Sequence, residues 1–195
     1  MRLKRICVFA GSSSGSRIEY RAAAENLGRA LVSRQIDLVY GGGRVGLMGV
    51  LADAVLAAGG HVTGVIPTAL AAKEVAHEGL SDLRLVGSMH ERKALMADLS
   101  DGFIALPGGW GTLEELFEVL TWAQLGIHQK PCGVLNVSGF FDGLLSFVDH
   151  TIDEAFVRRE NRSMILVASA PDTLLDLLEH YDPLVVEKWL DRAST

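Results

Sequence analysis

Phe103-Ile104-Ala105-Leu106-Pro107-Gly108-Gly109-Trp110-Gly111-Thr112-Leu113-Glu114-Glu115 runs from an apolar stretch through a glycine-rich turn into a helical pattern. The first four side chains are apolar and end at a proline, so they read as a buried strand. Beyond the turn, Leu113, Leu116, Phe117 and Leu120 recur at helical spacing. Gly108, Gly109 and Gly111 let the backbone turn tightly and bring its N–H groups close to a ligand. The helix start aims the positive end of its dipole at the same place. Strand, glycine turn and helix start together make a phosphate cradle, and Glu114 and Glu115 stand on its rim.

The rest of the chain repeats this alternation. Strands are predicted at Arg5–Ala10, Ile36–Tyr40, His61–Ile66, Leu83–Val86, Gly102–Leu106, Pro131–Val137 and Met164–Ala168. Helices are predicted at Ile18–Arg34, Val45–Ala58, Met89–Leu99, Thr112–Leu125, Phe140–Glu154 and Pro171–His180, with a short one near Val185–Leu190. Short apolar strands alternating with longer helices predict an α/β fold: a Rossmann-like, doubly wound, mainly parallel sheet with helices on both faces. The 195 residues fit a single domain, with no repeat, low-complexity tract or linker to divide them. In such sheets ligands bind at the carboxyl edge of the strands. Three glycine-rich turns fall at that edge: Gly11–Gly15, Gly41–Gly46 and Pro107–Gly111.

The net charge of −6 argues against binding a nucleic-acid polymer or an anionic membrane surface. No apolar run approaches the length needed to span a bilayer, and the basic N-terminus leads into a glycine turn too early for a secretion signal. Cys7 and Cys132 both fall in strand-like runs and read as buried free thiols of a cytoplasmic protein. The six histidines show no metal-ligand spacing, so neither a metal nor another cofactor is expected.

Two of the glycine turns imitate other motifs. Gly41-Gly42-Gly43-Arg44-Val45-Gly46 has G-x-G-x-x-G spacing, but the next strand ends Val65-Ile66-Pro67-Thr68 without the acid that a dinucleotide ribose requires. A tight turn lining another phosphate ligand fits better. Gly11-Ser12-Ser13-Ser14-Gly15 matches a nucleophile elbow, yet it follows the first strand, where that elbow has several strands before it. Gly11 and Ser12 read instead as part of a turn whose N–H and hydroxyl groups bind polar ligand atoms.

Two readings of Glu115 stand side by side. Thr112-Leu113-Glu114-Glu115 is a T-x-x-E capping box, worth only about 0.5–2 kcal/mol of stability. A mere cap does not need the glycines before Trp110, and they point to catalysis. On the same helix Leu113, Leu116, Phe117, Leu120 and Ala123 share the core face, while Glu114, Glu118 and Thr121 form a polar stripe. Val119 and Trp122 lie outside the core face. Either a partner subunit covers them or Trp122 is a solvent-exposed aromatic.

Met89-His90-Glu91-Arg92-Lys93 opens another helix at the same edge. Arg92 precedes Leu95, Met96 and Leu99 by three, four and seven residues, which places it on the inward face. A buried arginine needs a partner, and its planar fork suits a phosphate, a ligand carboxylate or a nearby glutamate. Lys93, one position on, faces solvent and adds charge for an anionic substrate.

M-H-x-R-K followed by P-G-G-x-G-T-x-x-E resembles the LONELY GUY family of cytokinin riboside 5′-monophosphate phosphoribohydrolases, proteins often labelled lysine decarboxylases. The resemblance extends to the early glycine-serine turn and to Gly41–Gly49. It implies a homodimer with active sites at the subunit interface and catalytic roles for Arg92 and Glu115. It further implies substrate contacts from Glu74, Lys93, the Gly108-Gly109-Trp110-Gly111-Thr112 turn, Glu114 and Thr121. Trp110 stands where tyrosine is common in the family, which keeps an aromatic. The reaction implied is hydrolysis of the N-glycosidic bond of an N6-modified adenosine 5′-monophosphate to free base and ribose 5-phosphate. Glu115 would stabilise the positively charged sugar and activate water, while Arg92 holds the phosphate or ribose and keeps Glu115 ionised. Two alternatives stay open: a nucleosidase acting mainly on unmodified AMP, and a non-catalytic nucleotide-binding module. A decarboxylase would need a pyridoxal-phosphate lysine in a defined pocket, and no lysine here has that context.

Overall fold

The computed structural model describes residues 3–71 and 76–184. Glu74 and the helix expected near Val185–Leu190 lie outside the described residues. Seven strands form one sheet: β1 (Arg5–Phe9), β2 (Asp37–Tyr40), β3 (Val62–Pro67), β4 (Asp82–Val86), β5 (Gly102–Ala105), β6 (Cys132–Leu135) and β7 (Ile165–Ala168). Their order is β4-β3-β2-β1-β5-β6-β7, and every pairing is parallel. The helices are α1 (Ile18–Ser33), α2 (Gly46–Ala57), α3 (Thr68–Ala71), α4 (Met89–Asp98), α5 (Trp110–Gln124), α6 (Asp142–Asp153) and α7 (Pro171–Glu179).

Parallel strands need crossovers, and helices supply them on both faces, so the central strands are apolar along their whole length. Ile6, Cys7, Val8, Phe103, Ile104 and Ala105 are all buried. On one face Leu27 and Leu31 of α1, Leu51 and Val55 of α2, and Leu174 and Leu178 of α7 cover the sheet. On the other face Met96 of α4 and Leu116, Val119 and Leu120 of α5 do so. Both cysteines are buried free thiols, Cys7 in β1 and Cys132 in β6. No helix among the described residues is long and apolar enough to cross a membrane.

All seven expected strands are present, with ends displaced by a residue or two. The short α3 and a 3-10 segment at Arg159–Met164 were not anticipated, because turns this brief have no periodicity to read. The consequential difference is at α5, which begins at Trp110 and not at Thr112. Its N-cap is Gly109, with no side-chain cap hydrogen bond. The capping-box reading of Thr112 and Glu115 is therefore wrong.

Candidate active site

Chain order reverses between β1 and β5, and their carboxyl ends lie side by side with Phe9 opposite Ala105. The turns that follow are joined by the Gly11 N–H donating to the Pro107 carbonyl at 3.1 Å. A cleft of about 180 Å³ opens above them, as expected at a topological switch point. Gly11, Ser12, Met48, Arg92, Gly109, Trp110, Gly111, Thr112 and Glu115 line it. Arg92 and Glu115, remote in sequence, thus meet at one cleft.

The first turn of α5 forms the floor. By helix geometry the N–H groups of Trp110, Gly111 and Thr112 have no partner within the helix. The three glycines of this turn differ in purpose. A Cβ on Gly108 would lie 2.1 Å from Thr112 Oγ1, so this glycine lets the buried threonine tuck beneath the turn. A Cβ on Gly109 or Gly111 would meet nothing within 4 Å, and neither residue has a left-handed φ. The chain itself does not require glycine at those two positions.

Arg92 is 6% exposed, inward-facing as its spacing predicts. Its Nε donates to the Val65 carbonyl at 3.1 Å and its Nη2 to the Gly41 carbonyl at 2.9 Å. Its Nη1 lies 3.7 Å from Met89 Sδ. Among the described residues no glutamate forms a salt bridge with Arg92; backbone carbonyls at the ends of β2 and β3 aim the guanidinium at the cleft. A buried cation held by neutral groups is costly until an anion joins it.

The Glu115 carboxyl is pushed up to about 7, chiefly by burial. Arg92 and Lys93 oppose the shift, and Glu114 and Glu118 add to it. Arg92 therefore does not hold Glu115 in the ordinary carboxylate range, because desolvation outweighs its attraction. Near neutral pH the group is poised between acid and base.

Other residues singled out by sequence lie elsewhere. Lys93 is not solvent-facing: its Nζ donates to Glu114 at 2.5 Å and Glu118 at 2.9 Å, and its side chain is 11% exposed. Neither Lys93 nor Glu114 lines the cleft. Thr121 donates to the Phe117 carbonyl at 2.7 Å and lines a separate groove between α5 and α6. Gly108 lines a neighbouring hollow that shares Gly11, Ser12 and Gly109 with the main cleft. None of Gly41–Gly46 lines the cleft, contrary to the phosphate-turn reading. That turn packs inward instead: Gly46 has φ +61°, and its Cβ would sit 2.3 Å from the Ser12 carbonyl carbon. Met48, in the first turn of α2 just past this turn, lines the cleft and was missed. Its position at the carboxyl edge was the available signal.

The outer side of α5 also differs from expectation. Val119 is 3% exposed and Trp122 is half-buried, both covered from within the chain. The segment beyond α5 folds back, with His128 Nε2 bonded to the Val119 carbonyl at 2.9 Å. Burial drives the His128 imidazole down to about 4, so it stays neutral there. On α5 itself the exposed aromatic residues are Trp110 and Phe117, the latter expected in the core.

Residues 48–178 match the family described as possible lysine decarboxylase. A probable cytokinin riboside 5′-monophosphate phosphoribohydrolase of Oryza sativa subsp. japonica, LOGL9, is 56% identical over 94% of this chain and 81% of its own length. The chain belongs to the LONELY GUY family. LOG1 of Arabidopsis thaliana, a cytokinin riboside 5′-monophosphate phosphoribohydrolase, is 54% identical over 93% of the chain and 85% of its own. The LONELY GUY fold also extends to distant proteins. The molybdenum cofactor binding protein of Rippkaea orientalis superposes with TM-score 0.66 at 25% identity, covering 92% of this chain and 97% of that one. The molybdenum cofactor carrier protein of Chlamydomonas reinhardtii gives 0.67 at 19%, covering 91% and 97%.

Proposed function

We propose that this chain hydrolyses the N-glycosidic bond of cytokinin riboside 5′-monophosphates, releasing the free N6-modified base and ribose 5-phosphate. The convergence of Arg92 and Glu115 on one cleft beside the bare first turn of α5 carries this reading. The 5′-phosphate rests on the N–H groups of Gly109–Thr112, where the helix dipole favours an anion. Glycine at 109 and 111 then has its reason, because a side chain would stand where the phosphate approaches. As the bond from the base to C1′ breaks, positive charge develops on the sugar, and the Glu115 carboxylate facing it stabilises that charge. Glu115 also takes a proton from the water that attacks C1′; the base departs with the bonding pair and receives that proton through solvent, which returns Glu115 to its carboxylate. Arg92 supplies the counter-charge for the phosphate or ribose from a backbone-fixed position. A pure anion binder has no use for a half-buried carboxylate next to its phosphate.

Glu115→Gln should fold normally and abolish turnover; near-normal base release by this variant would reject the assignment. In the wild type, kcat/KM should fall as pH drops below about 7, where Glu115 takes up its proton. Comparing AMP with isopentenyladenosine monophosphate decides whether the modified base is demanded. The same reading carries a cytoplasmic homodimer whose partner completes the cleft. Trp110, 90% exposed at the cleft mouth, and Phe117, exposed on the same helix, support that cover, and unpaired buried thiols suit a reducing compartment. A monomer in sedimentation at micromolar concentration would count against it.

A further inference from the structure

Met48 lines the cleft, yet the chemistry above gives it no part. Phosphate, sugar and water are met by Arg92, Glu115 and the first turn of α5, all carried on helices of one sheet face. Met48 stands across from them on α2, which covers the other face. It is fixed at both ends. Its backbone N–H and that of Leu47 donate to the Gly11 carbonyl, at 3.4 and 2.9 Å respectively. Its tip lies over Gly43, where a Cβ would come within 3.1 Å of Met48 Cε and 3.9 Å of Sδ and meet nothing else within 4 Å. Gly43 has no left-handed φ, so its missing side chain serves to make room for the methionine. Met48 is half-buried, with one flank on the core cluster and the other on the cleft.

On the reading that the cleft binds a nucleoside monophosphate, we propose that Met48 is a specificity-determining residue whose thioether packs against the purine ring. A thioether donates no hydrogen bond and accepts only weakly, so it gains nothing from a phosphate or from ribose hydroxyls. Its polarizable sulfur and methyl group do gain from an aromatic ring, and its unbranched chain adapts to the ring surface. With the phosphate on Gly109–Thr112 and the sugar between Arg92 and Glu115, the base is the part of the nucleotide that offers such a surface. The other large apolar side chain lining the cleft, Trp110, is 90% exposed at the mouth. Met48 is backed by the core and presents its surface already ordered.

The contact is with the ring and not with the group on N6. The cleft encloses about 180 Å³, below the ~300 Å³ of a typical small-molecule pocket, so its walls reach the part of the nucleotide near the glycosidic bond. The N6 substituent lies at the far side of the purine from that bond. Met48 therefore selects for a purine, and AMP and its N6-modified forms share the contact.

The experiment follows the methionine methyl groups by carbon-13 NMR in protein labelled at methionine Cε, with Glu115→Gln to stop turnover and Met48→Leu to assign the resonance. AMP and isopentenyladenosine monophosphate should both move the Met48 methyl upfield by the ring current of the purine. Saturating ribose 5-phosphate, which has no aromatic ring, should leave it in place. Kinetics give an independent arm: Met48→Ala should raise KM roughly two- to tenfold for both nucleotides, with the Ki of ribose 5-phosphate little changed. Met48→Leu should recover part of that loss. A methyl unmoved by AMP, or moved equally by ribose 5-phosphate, would overturn the proposal. So would a ribose 5-phosphate Ki that rises along with KM, or a KM change confined to the isopentenyl substrate. If Met48→Ala does not fold, the NMR arm decides. Absence of base release by the wild type would instead remove the hydrolysis reading, and an upfield shift on AMP binding would still establish the purine contact.

Discussion

The turns after β2 and β5 look alike in sequence and do opposite things. In Gly41–Gly46 the missing side chains are filled by the protein: Arg92 docks over Gly41, and the Ser12 turn presses on Gly46. In Gly108–Gly111 only the first glycine is filled in this way, by Thr112, and the other two open onto empty space. A glycine whose absent Cβ is replaced by the chain's own atoms serves packing. One whose absent Cβ is replaced by nothing points to something outside the chain.

Substitution by alanine separates these roles. Gly41→Ala should have the largest effect: its Cβ would lie 2.0 Å from Arg92 Nη2 and push the guanidinium off its carbonyl. The expected loss in kcat is roughly 10²–10³-fold, with stability changed little because a flexible side chain can move aside. Steady-state kinetics and a denaturation curve on the same sample check it. Gly46→Ala combines a left-handed φ with a backbone collision, so it should lower stability by about 2–4 kcal/mol, read from the urea midpoint. Gly111→Ala should do neither. Alanine is the better helix former, by up to about 1 kcal/mol, and its methyl group meets no protein atom. It should raise KM about tenfold with stability kept or improved. A stable Gly46→Ala, or an unfolded Gly111→Ala, would erase the distinction between the turns.

Glu115 sharpens the contrast through pH. Its native pKa of about 7 lies above the ordinary carboxylate value, so the native state holds a proton that the unfolded chain has already lost. Its contribution to stability is therefore fully present below the unfolded pKa and fades as pH rises towards about 7. Glu115→Gln should flatten that part of the stability profile. An unchanged slope between pH 4.5 and 7 would place the carboxyl in water.

The sheet was legible because buried parallel strands are apolar on both faces, and runs such as Phe103–Leu106 announce themselves. Arg92 was legible for a related reason, since its spacing from Leu95, Met96 and Leu99 puts it inward whatever it binds. Its partners were not legible: carbonyls of Gly41 and Val65 belong to distant strands and leave no residue-type signal. The start of α5 was misplaced because a threonine three residues before a glutamate imitates a cap, while Gly109 caps with no side chain. Lys93 was misjudged because its acidic partners are 21 and 25 residues away, a pairing only the packing of α4 on α5 creates. Val119 and Trp122 suggested a partner because the return of His128 over α5 has no local pattern.

The most direct test of the central claim is a crystal structure of Glu115→Gln soaked with isopentenyladenosine monophosphate. The account predicts the phosphate on the Gly109–Thr112 turn and the ribose between Arg92 and residue 115. A nucleotide bound with its sugar away from both side chains would contradict it.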